Sequence, residues 1–169
     1  MALVGMMGAG KSAVGRRLAG RLDVTFRDAD TEIEAAAGCT ISDIFEKYGE
    51  TAFRDCERKV IARLLNEAPH VLATGGGAFV DEETRARIKS TALSVWLNVP
   101  IEVLIGRVGR RETRPLLRNG DPREIMTRLL AEREATYAEA DLTINSEDGP
   151  YTASVDQIVA ALRERGMLE

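Results

Sequence analysis

Short apolar runs alternate along the chain with longer segments in which apolar residues recur at helical spacing. The runs are three to five residues long and end in polar or glycine-rich stretches, as buried strands do. In the first helical segment, Val14, Leu18 and Leu22 share one face. The alternation predicts an α/β fold with a mainly parallel sheet. The predicted strands cover residues 2–4, 24–27, 70–74, 93–97 and 142–144.

Glycine, proline and capping residues set the expected ends of the helices. Gly38 closes a helix over about 31–37, and Gly49 separates a helix that starts near Thr40 or Ser42 from a longer one over about 51–66. Further helices are expected over 11–22, after Asp81, over 101–108, from Asp121-Pro122 to about 137, and over 152–165. No internal repeat or linker is found, so residues 1–169 are predicted to form one domain.

The composition argues against several classes of protein. Hydrophobic residues make up 44% and charged residues 30% of the 169, which is typical of a globular protein. The formal net charge of -4 argues against a nucleic-acid-binding surface, and no apolar run is long enough to span a membrane. Cys39 and Cys56 are too few for a disulfide framework and fit a reducing cytosol. We therefore expect a cytoplasmic monomer that partners neither nucleic acid nor membrane.

Residues 5–12 match the phosphate-binding pattern G-x-x-x-x-G-K-[ST] at every fixed position. Its glycines allow the backbone to approach a ligand closely, and the loop amides then form an anion-binding nest. Lys11 can reach the β- and γ-phosphates of a nucleotide, and the Ser12 hydroxyl can hold Mg²⁺. A chance glycine-rich turn is the alternative, but the loop stands between a predicted strand and a predicted helix, as the pattern requires.

Asp28 and Asp30 follow the second predicted strand, at the edge where α/β sheets bind ligands. If the extended geometry persists, side chains at i and i+2 point the same way, so both carboxylates would face one site. An acidic helix start that stabilises the segment from Thr31 onward is the alternative, and the sequence leaves it open.

Gly75, Gly76 and Gly77 follow the third predicted strand. Three successive glycines cost backbone entropy, and a close approach of the backbone to a ligand is a reason for that cost. On the helix over 51–66, Arg54 and Glu57 stand three positions apart and share a face. From these positions alone, an exposed ion pair is favoured.

The most basic run of the chain lies between two predicted helices. Its position in an acidic protein, among glycine and proline, indicates a lid over an anionic ligand, and a solvated loop is the alternative. The run contains Arg107, Arg110, Arg111, Arg114 and Arg118.

Taken in order, these motifs resemble the shikimate kinase family over nearly the whole chain. The resemblance implies the three-layer P-loop fold of nucleoside-monophosphate kinases, with a five-stranded parallel sheet in the order 2-3-1-4-5. A substrate-binding helical segment over about 31–60 and a lid over about 109–121 would complete the domain. The residues that carry the resemblance are the loop 5–12 with Gly15, then Phe26-Arg27-Asp28-Ala29-Asp30, Ile33-Glu34, Ile44-Phe45, Gly49-Glu50, Phe53-Arg54, Glu57, Gly75-Gly76-Gly77, Arg114-Pro115-Leu116-Leu117, Arg133 and Tyr137.

The resemblance also implies a reaction. The family transfers the γ-phosphoryl group of ATP, with Mg²⁺, to the 3-hydroxyl of shikimate, giving shikimate 3-phosphate and ADP on the route to chorismate and the aromatic amino acids. A related small-molecule kinase of the gluconate type and a nucleotide-binding module without catalysis are the alternatives. The paired aspartates, the Phe53-Arg54 pair and the triple glycine favour shikimate over gluconate. Intact Lys11 and Ser12 favour a catalyst.

Carried onto matching positions, the resemblance implies two halves of one site. For the nucleotide it assigns Gly8, Ala9, Gly10, Lys11, Ser12 and Ala13 to the phosphates, Ser12 and Asp28 to Mg²⁺, Arg107 to the adenine end, and Arg114, from the lid, to the phosphates. For shikimate it assigns Arg54 and Arg133 to the carboxylate, Asp30 to the hydroxyls, the Gly76 amide to the same substrate with Gly75 and Gly77 beside it, and Phe45, Phe53 and Glu57 to the walls.

Three of these residues would be catalytic. Asp30 would orient the hydroxyl and accept its proton, since the one histidine, His70, precedes an apolar run and is not expected in a site. Lys11 and Arg114 would offset charge on the transferring group. No residue of 145–150 is assigned to adenine.

Overall fold

Five parallel strands form one sheet within the residues that the structure, a computed structural model, describes: 1–109, 117 and 120–168. The strands are β1 (Ala2–Val4), β2 (Thr25–Asp28), β3 (His70–Ala73), β4 (Ser94–Asn98) and β5 (Leu142–Asn145). They lie in the order β2-β3-β1-β4-β5, and each neighbouring pair is parallel. The predicted sheet order is confirmed.

The described residues form seven α-helices between and after these strands. They are α1 (Lys11–Leu22), α2 (Ala29–Ala37), α3 (Ile41–Leu64), α4 (Glu82–Thr91), α5 (Ile101–Val108), α6 (Pro122–Tyr137) and α7 (Tyr151–Glu164). Gly49 interrupts α3 with φ 81° and ψ 176°, so the predicted break is present, although the helix resumes directly after it. Gly38 ends α2, while Asp81 and Asp121 cap α4 and α6 as predicted.

The start of α2 differs from the prediction. The helix begins at Ala29 rather than near Thr31, because the Asp28 side chain accepts hydrogen bonds from the N–H groups of Asp30 and Thr31. A capping carboxylate of this kind satisfies amides that would otherwise lack partners at the helix start. The alternative of an acidic helix start is therefore correct for the backbone, and the extended geometry ends at Asp28.

The centre of the sheet is fully buried. Every residue of β1 is buried, as expected for a strand covered by helices on both faces. Helix α1 packs on β1 and β3 and against α7, while α5 packs on α6. Because β1, β2 and β3 are parallel, their carboxyl ends bring the phosphate loop, Asp28 and the triple glycine to one edge.

Other features of the composition take ordinary structural places. Cys39 and Cys56 are free thiols, both partly buried. His70 is buried, and its Nδ1 lies 2.8 Å from the Ala68 carbonyl oxygen. Over 1–109, 117 and 120–168, no group of three histidine, cysteine or acidic residues could hold a metal ion. None of the helices described above is long and apolar enough to cross a membrane.

Candidate active site

The phosphate loop uses its glycines for conformations that other residues avoid. Gly5, Gly8 and Gly10 have φ values of 133°, 83° and 90°. L-residues with a side chain rarely adopt positive φ. A Cβ on Gly10 would also lie 2.5 Å from a carbon of the Tyr151 ring. The loop therefore depends on glycine both for its own backbone and for its contact with α7.

Lys11 turns back into the loop that precedes it. Its Nζ donates to the carbonyl oxygens of Gly5 and Met6 at 2.7 and 2.8 Å, and the residue is buried. These bonds hold the ammonium group in place before any ligand binds. The loop amides and a buried ammonium together form a site for an anion.

Ser12 and Asp28 lie in direct contact at the start of α1 and the end of β2. The Ser12 hydroxyl donates to Asp28 Oδ2 at 2.5 Å, while Asp28 Oδ1 accepts from the amides of Asp30 and Thr31 at 3.1 and 3.5 Å. A hydroxyl and a carboxylate oxygen are the ligand types that Mg²⁺ prefers. The structure thus brings together the two residues predicted to hold the metal.

A cavity of about 350 Å³ opens over the phosphate loop. Asp28 and Asp30 both line it, although α2 starts between them and the predicted extended pair does not form. The full lining is Met7, Gly8, Gly10, Lys11, Ser12, Ala13, Asp28, Asp30, Thr74, Gly75, Gly76, Arg107 and Tyr151. The cavity therefore joins the predicted nucleotide site to Asp30 and to the beginning of the triple glycine.

Charged side chains crowd the triple glycine. A Cβ on Gly75 would lie 2.7 Å from Glu57 Oε1 and 3.4 Å from Asp30 Oδ1. A Cβ on Gly77 would lie 2.6 Å from both terminal nitrogens of Arg54. None of the three glycines has a positive φ. Gly75 and Gly77 are required because the backbone passes close to these charged groups, and a Cβ on Gly76 would lie 3.2 Å from the backbone nitrogen of Met7.

Arg133 approaches the same turn from α6. Its Nη1 lies 3.6 Å from the position of a Cβ on Gly76, and the residue is buried. Arg54 and Arg133 therefore contact one turn of three residues, from two different helices. They lie beside the cavity over the phosphate loop and are not part of its lining.

The ion pair between Arg54 and Glu57 exists, but the prediction that it is exposed is wrong. Arg54 Nη1 lies 2.7 Å from Glu57 Oε2, and the Glu57 side chain is 3% exposed. Burial raises the pKa of Glu57 even though the Arg54 guanidinium acts to lower it. Arg54 also stacks on the Phe53 ring, whose centroid lies 4.8 Å from that of Phe45. The glycine turn creates the space that allows this pair to be buried.

Two buried atoms in this region, among the residues that the structure describes, lack a hydrogen-bond partner: Glu57 Oε1 and Arg133 Nη1. Buried polar atoms are nearly always satisfied, and each exception has an energetic cost. An acceptor beside Arg133 and a donor beside Glu57 would remove it. The region therefore suits a polar ligand that carries an anionic acceptor and a hydrogen-bond donor.

Arg107 lies at the other end of the cavity. Its Nη1 donates to the carbonyl oxygens of Gly8 and Ala9 over 3.4 Å, and its guanidinium lies 5.2 Å from the centroid of the Tyr151 ring. Sequence analysis missed Tyr151, since helix α7 was expected to begin one residue later. Its ring packs near Gly10 and under the Arg107 guanidinium, and both contacts join distant segments, so no local signal identifies it.

The predicted lid, residues 109–121, falls largely outside the described residues, and so does Arg114. The role assigned to Arg114 stays a prediction. The predicted substrate segment, about 31–60, corresponds to most of α2 and α3.

Comparison with known proteins identifies the family. The sequence profile of the shikimate kinases matches residues 7–163. The shikimate kinase of Bradyrhizobium diazoefficiens is 59% identical over 161 residues, which are 95% of this chain and 78% of that protein. The shikimate kinase of Caulobacter vibrioides is 57% identical over 162 residues, 96% of this chain and 81% of that protein.

Solved structures agree with these sequence matches. The shikimate kinase of Acinetobacter baumannii in complex with shikimate superposes with a TM-score of 0.95, at 39% identity, over 99% of this chain and 94% of that one. A deoxyadenosine kinase from M. mycoides, at 13% identity and a TM-score of 0.61, covers 97% of this chain and 99% of its own, and shares the fold alone. Since the family profile and these relatives each match nearly the whole chain, this chain belongs to the shikimate kinase family.

Proposed function

We propose that this protein transfers the γ-phosphoryl group of ATP to the 3-hydroxyl of shikimate. One observation supports this acceptor above all. The buried guanidinium of Arg133 has a nitrogen without a partner among the described residues, at a glycine turn that Arg54 contacts as well. Two guanidinium groups around one small space suit a planar carboxylate, which accepts hydrogen bonds from both. The phosphate loop lies at the adjoining cavity.

The nucleotide half of the site is built from backbone and fixed charges. The amides of residues 8–13 would bind the phosphates, and Lys11 is already held by the carbonyls of Gly5 and Met6. Ser12 and Asp28 would hold Mg²⁺, with Asp28 acting through water. When bound, Mg²⁺ would neutralise charge on the phosphate oxygens. Arg107 and its neighbour Tyr151 would lie at the adenine end, and Arg114 would add charge near the transferred group.

The acid half of the site fixes the direction of the acceptor. Arg54 and Arg133 would bind the carboxylate, and the buried pair with Glu57 holds Arg54 in place. The Gly76 amide would add a hydrogen bond, while Phe45 and Phe53 form part of the wall. Fixing the ring at its carboxylate aims one hydroxyl toward the phosphate loop before reaction, which removes much of the entropy cost.

Asp30 would handle the proton. It lines the cavity over the phosphate loop and approaches Gly75, where the two halves of the site meet. The 3-hydroxyl oxygen would form a bond to the γ-phosphorus as the bond from that phosphorus to the bridging oxygen of ADP breaks. The hydroxyl proton would pass to an Asp30 carboxylate oxygen.

The same proposal includes the setting of the reaction. We expect a cytoplasmic protein, because Cys39 and Cys56 are unpaired thiols, which suit a reducing compartment. We also expect it to be a monomer. Size-exclusion chromatography with light scattering would measure the mass in solution. A stable dimer would contradict this part of the proposal and leave the reaction untouched.

A coupled assay of ADP release tests the function. Activity is expected with ATP, Mg²⁺ and shikimate, and it should fall to background when shikimate is omitted or replaced by gluconate. Arg133→Ala should raise KM for shikimate by about ten-fold or more, since a charge-assisted bond is lost. Arg128→Ala is the matched control on the same helix, because this side chain is 67% exposed. ADP release that does not depend on shikimate would refute the proposal.

A further inference from the structure

One carbonyl of the triple glycine is held by a side chain that the proposed function does not use. The carbonyls of Gly75 and Gly77 each accept a backbone N–H from three residues further along, both at 3.2 Å. The Gly76 carbonyl, which lies between them, accepts no such backbone hydrogen bond within the described residues. It accepts a hydrogen bond from the Tyr137 hydroxyl.

Tyr137 is itself firmly placed. Its side chain is fully buried, and its ring centroid lies 6.0 Å from that of Trp96. Its hydroxyl also lies 3.7 Å from Met6 Sδ in the phosphate loop. Tyr137 follows Arg133 by four positions on α6, so both side chains leave one face of the helix toward Gly76. Burial raises the pKa of Tyr137 although Arg133 acts to lower it, so the hydroxyl stays protonated near neutral pH.

The peptide group between Gly76 and Gly77 is what this hydrogen bond controls. In a planar trans peptide, C=O and N–H point in opposite directions. A carbonyl held toward Tyr137 therefore keeps the Gly77 N–H on the opposite side. Between two glycines, a peptide group meets little steric resistance to rotation. A rotated group would present a carbonyl oxygen where an N–H had been, and that oxygen repels a carboxylate.

We propose that Tyr137 is a positioning residue for the acid substrate: its hydroxyl holds the Gly76–Gly77 peptide, which adjoins the Gly76 N–H assigned to the substrate, in the orientation that a bound carboxylate requires. The proposal rests on the proposed function. The proposal predicts different effects on the binding of the two substrates, because Lys11, which serves ATP, is held by other carbonyls, those of Gly5 and Met6. Loss of the hydroxyl should therefore weaken shikimate binding and spare ATP binding.

Tyr137→Phe is the test, with Tyr48→Phe as the matched control. Tyr48 is 68% exposed, so its hydroxyl is dispensable by the same reasoning. By calorimetry without nucleotide, Tyr137→Phe should bind shikimate about ten-fold more weakly, because a buried carbonyl loses its partner. KM for shikimate should rise in parallel, while kcat and KM for ATP stay near those of the wild type. Tyr48→Phe should match the wild type in each value.

Other results would overturn the role of Tyr137 or the proposed function. Unchanged affinity for shikimate in Tyr137→Phe, or an equal loss of affinity for ATP, would overturn the role of Tyr137. A wild type without shikimate-dependent turnover would instead overturn the proposed function. If the variant does not fold, the wild type is examined by NMR. A Tyr137 hydroxyl proton in slow exchange with water is expected, and its absence would overturn the hydrogen bond to the Gly76 carbonyl.

Discussion

Replacing Gly77 with alanine tests the closest contact between the backbone and the acid-binding half of the site. A Cβ there would lie 2.6 Å from both terminal nitrogens of Arg54 and 2.7 Å from its guanidinium carbon. Unstrained contacts are roughly 3.5 Å or longer, so the guanidinium must withdraw by about 1 Å. Gly77 does not have a positive φ, so alanine fits the backbone. Displacement of Arg54 is then the direct effect.

The expected change in KM and in stability follows from the two groups that Arg54 would bind, the shikimate carboxylate and Glu57. A charge-assisted hydrogen bond contributes about 1.5–3 kcal/mol, which corresponds to roughly ten-fold or more in affinity. We therefore expect KM for shikimate to rise at least about ten-fold. Glu57, which is buried, would also lose part of the ion pair with Arg54 that offsets the cost of burying its charge. Because Arg54 remains in the chain, the destabilisation should be about 1–2 kcal/mol, less than the cost of deleting one partner, and should lower Tm by about 3–7 °C.

Steady-state kinetics with each substrate varied in turn, together with thermal melting, check this prediction. Gly20→Ala is the matched control, since a Cβ at this position of α1 would meet nothing within 4 Å. Alanine within a helix stabilises by about 0.5–1 kcal/mol relative to glycine, so the control should melt higher with unchanged KM values. If Gly77→Ala keeps the wild-type KM for shikimate and the wild-type Tm, Arg54 does not lie against Gly77. A matching rise in KM for ATP would locate the damage in the phosphate loop instead.

Three acidic residues give further predictions. Asp28→Asn keeps a helix cap but removes the charge beside Ser12, so half-maximal activity should need about ten-fold more Mg²⁺, with little change in Tm. An unchanged Mg²⁺ titration would show that Asp28 does not hold the metal. Asp30→Asn should lower kcat by about 10²-fold or more, and near-normal turnover would show that Asp30 is not the base. Burial acts to raise the pKa of Asp81, but hydrogen bonds from Arg58 and the Thr84 amide outweigh it and hold that pKa at about 2. Because the folded pKa lies below the usual 3.8, this carboxylate stabilises the fold above that value and ceases to do so as pH falls through about 2. The Tm difference between wild type and Asp81→Asn should therefore be largest near neutral pH and shrink as the pH falls from 3.8 to about 2, and a difference independent of pH would contradict this account.

Local chemistry made much of the fold predictable. Apolar runs of a few residues mark the strands, and the break at Gly49 is visible because glycine ends helices. Asp81 and Asp121 predict helix starts because each side chain accepts a hydrogen bond from a backbone N–H no more than three residues later in the chain. The phosphate loop is recognisable for the same reason, since its function resides in a short stretch of backbone. The order of the strands came with the family resemblance, not from these local signals.

Other features of the site depend on contacts between distant segments. Spacing on a helix makes Arg54 and Glu57 neighbours, but whether the pair is buried depends on the space that the glycine turn after β3 leaves for it. Tyr151 belongs to the site because its ring packs near Gly10 and under Arg107, both far from it in the chain. Tyr137 likewise acts on a carbonyl 61 positions away in the chain. Such pairs are set by tertiary packing, which a single sequence does not reveal.

The break at Gly49 has a mechanical consequence for the wall of the acid site. Phe45 stands before it and Phe53 after it, so these two tilted, neighbouring rings belong to helical pieces that meet at one glycine. The later piece is anchored by the bond from Arg58 to Asp81 on the neighbouring helix. Rotation about the Gly49 backbone would tilt the earlier piece as a unit without unwinding either part of the helix or drawing Arg54 away from the glycine turn. Acceptors of different bulk would be accommodated by movement of Phe45, while the grip on their carboxylate stays constant.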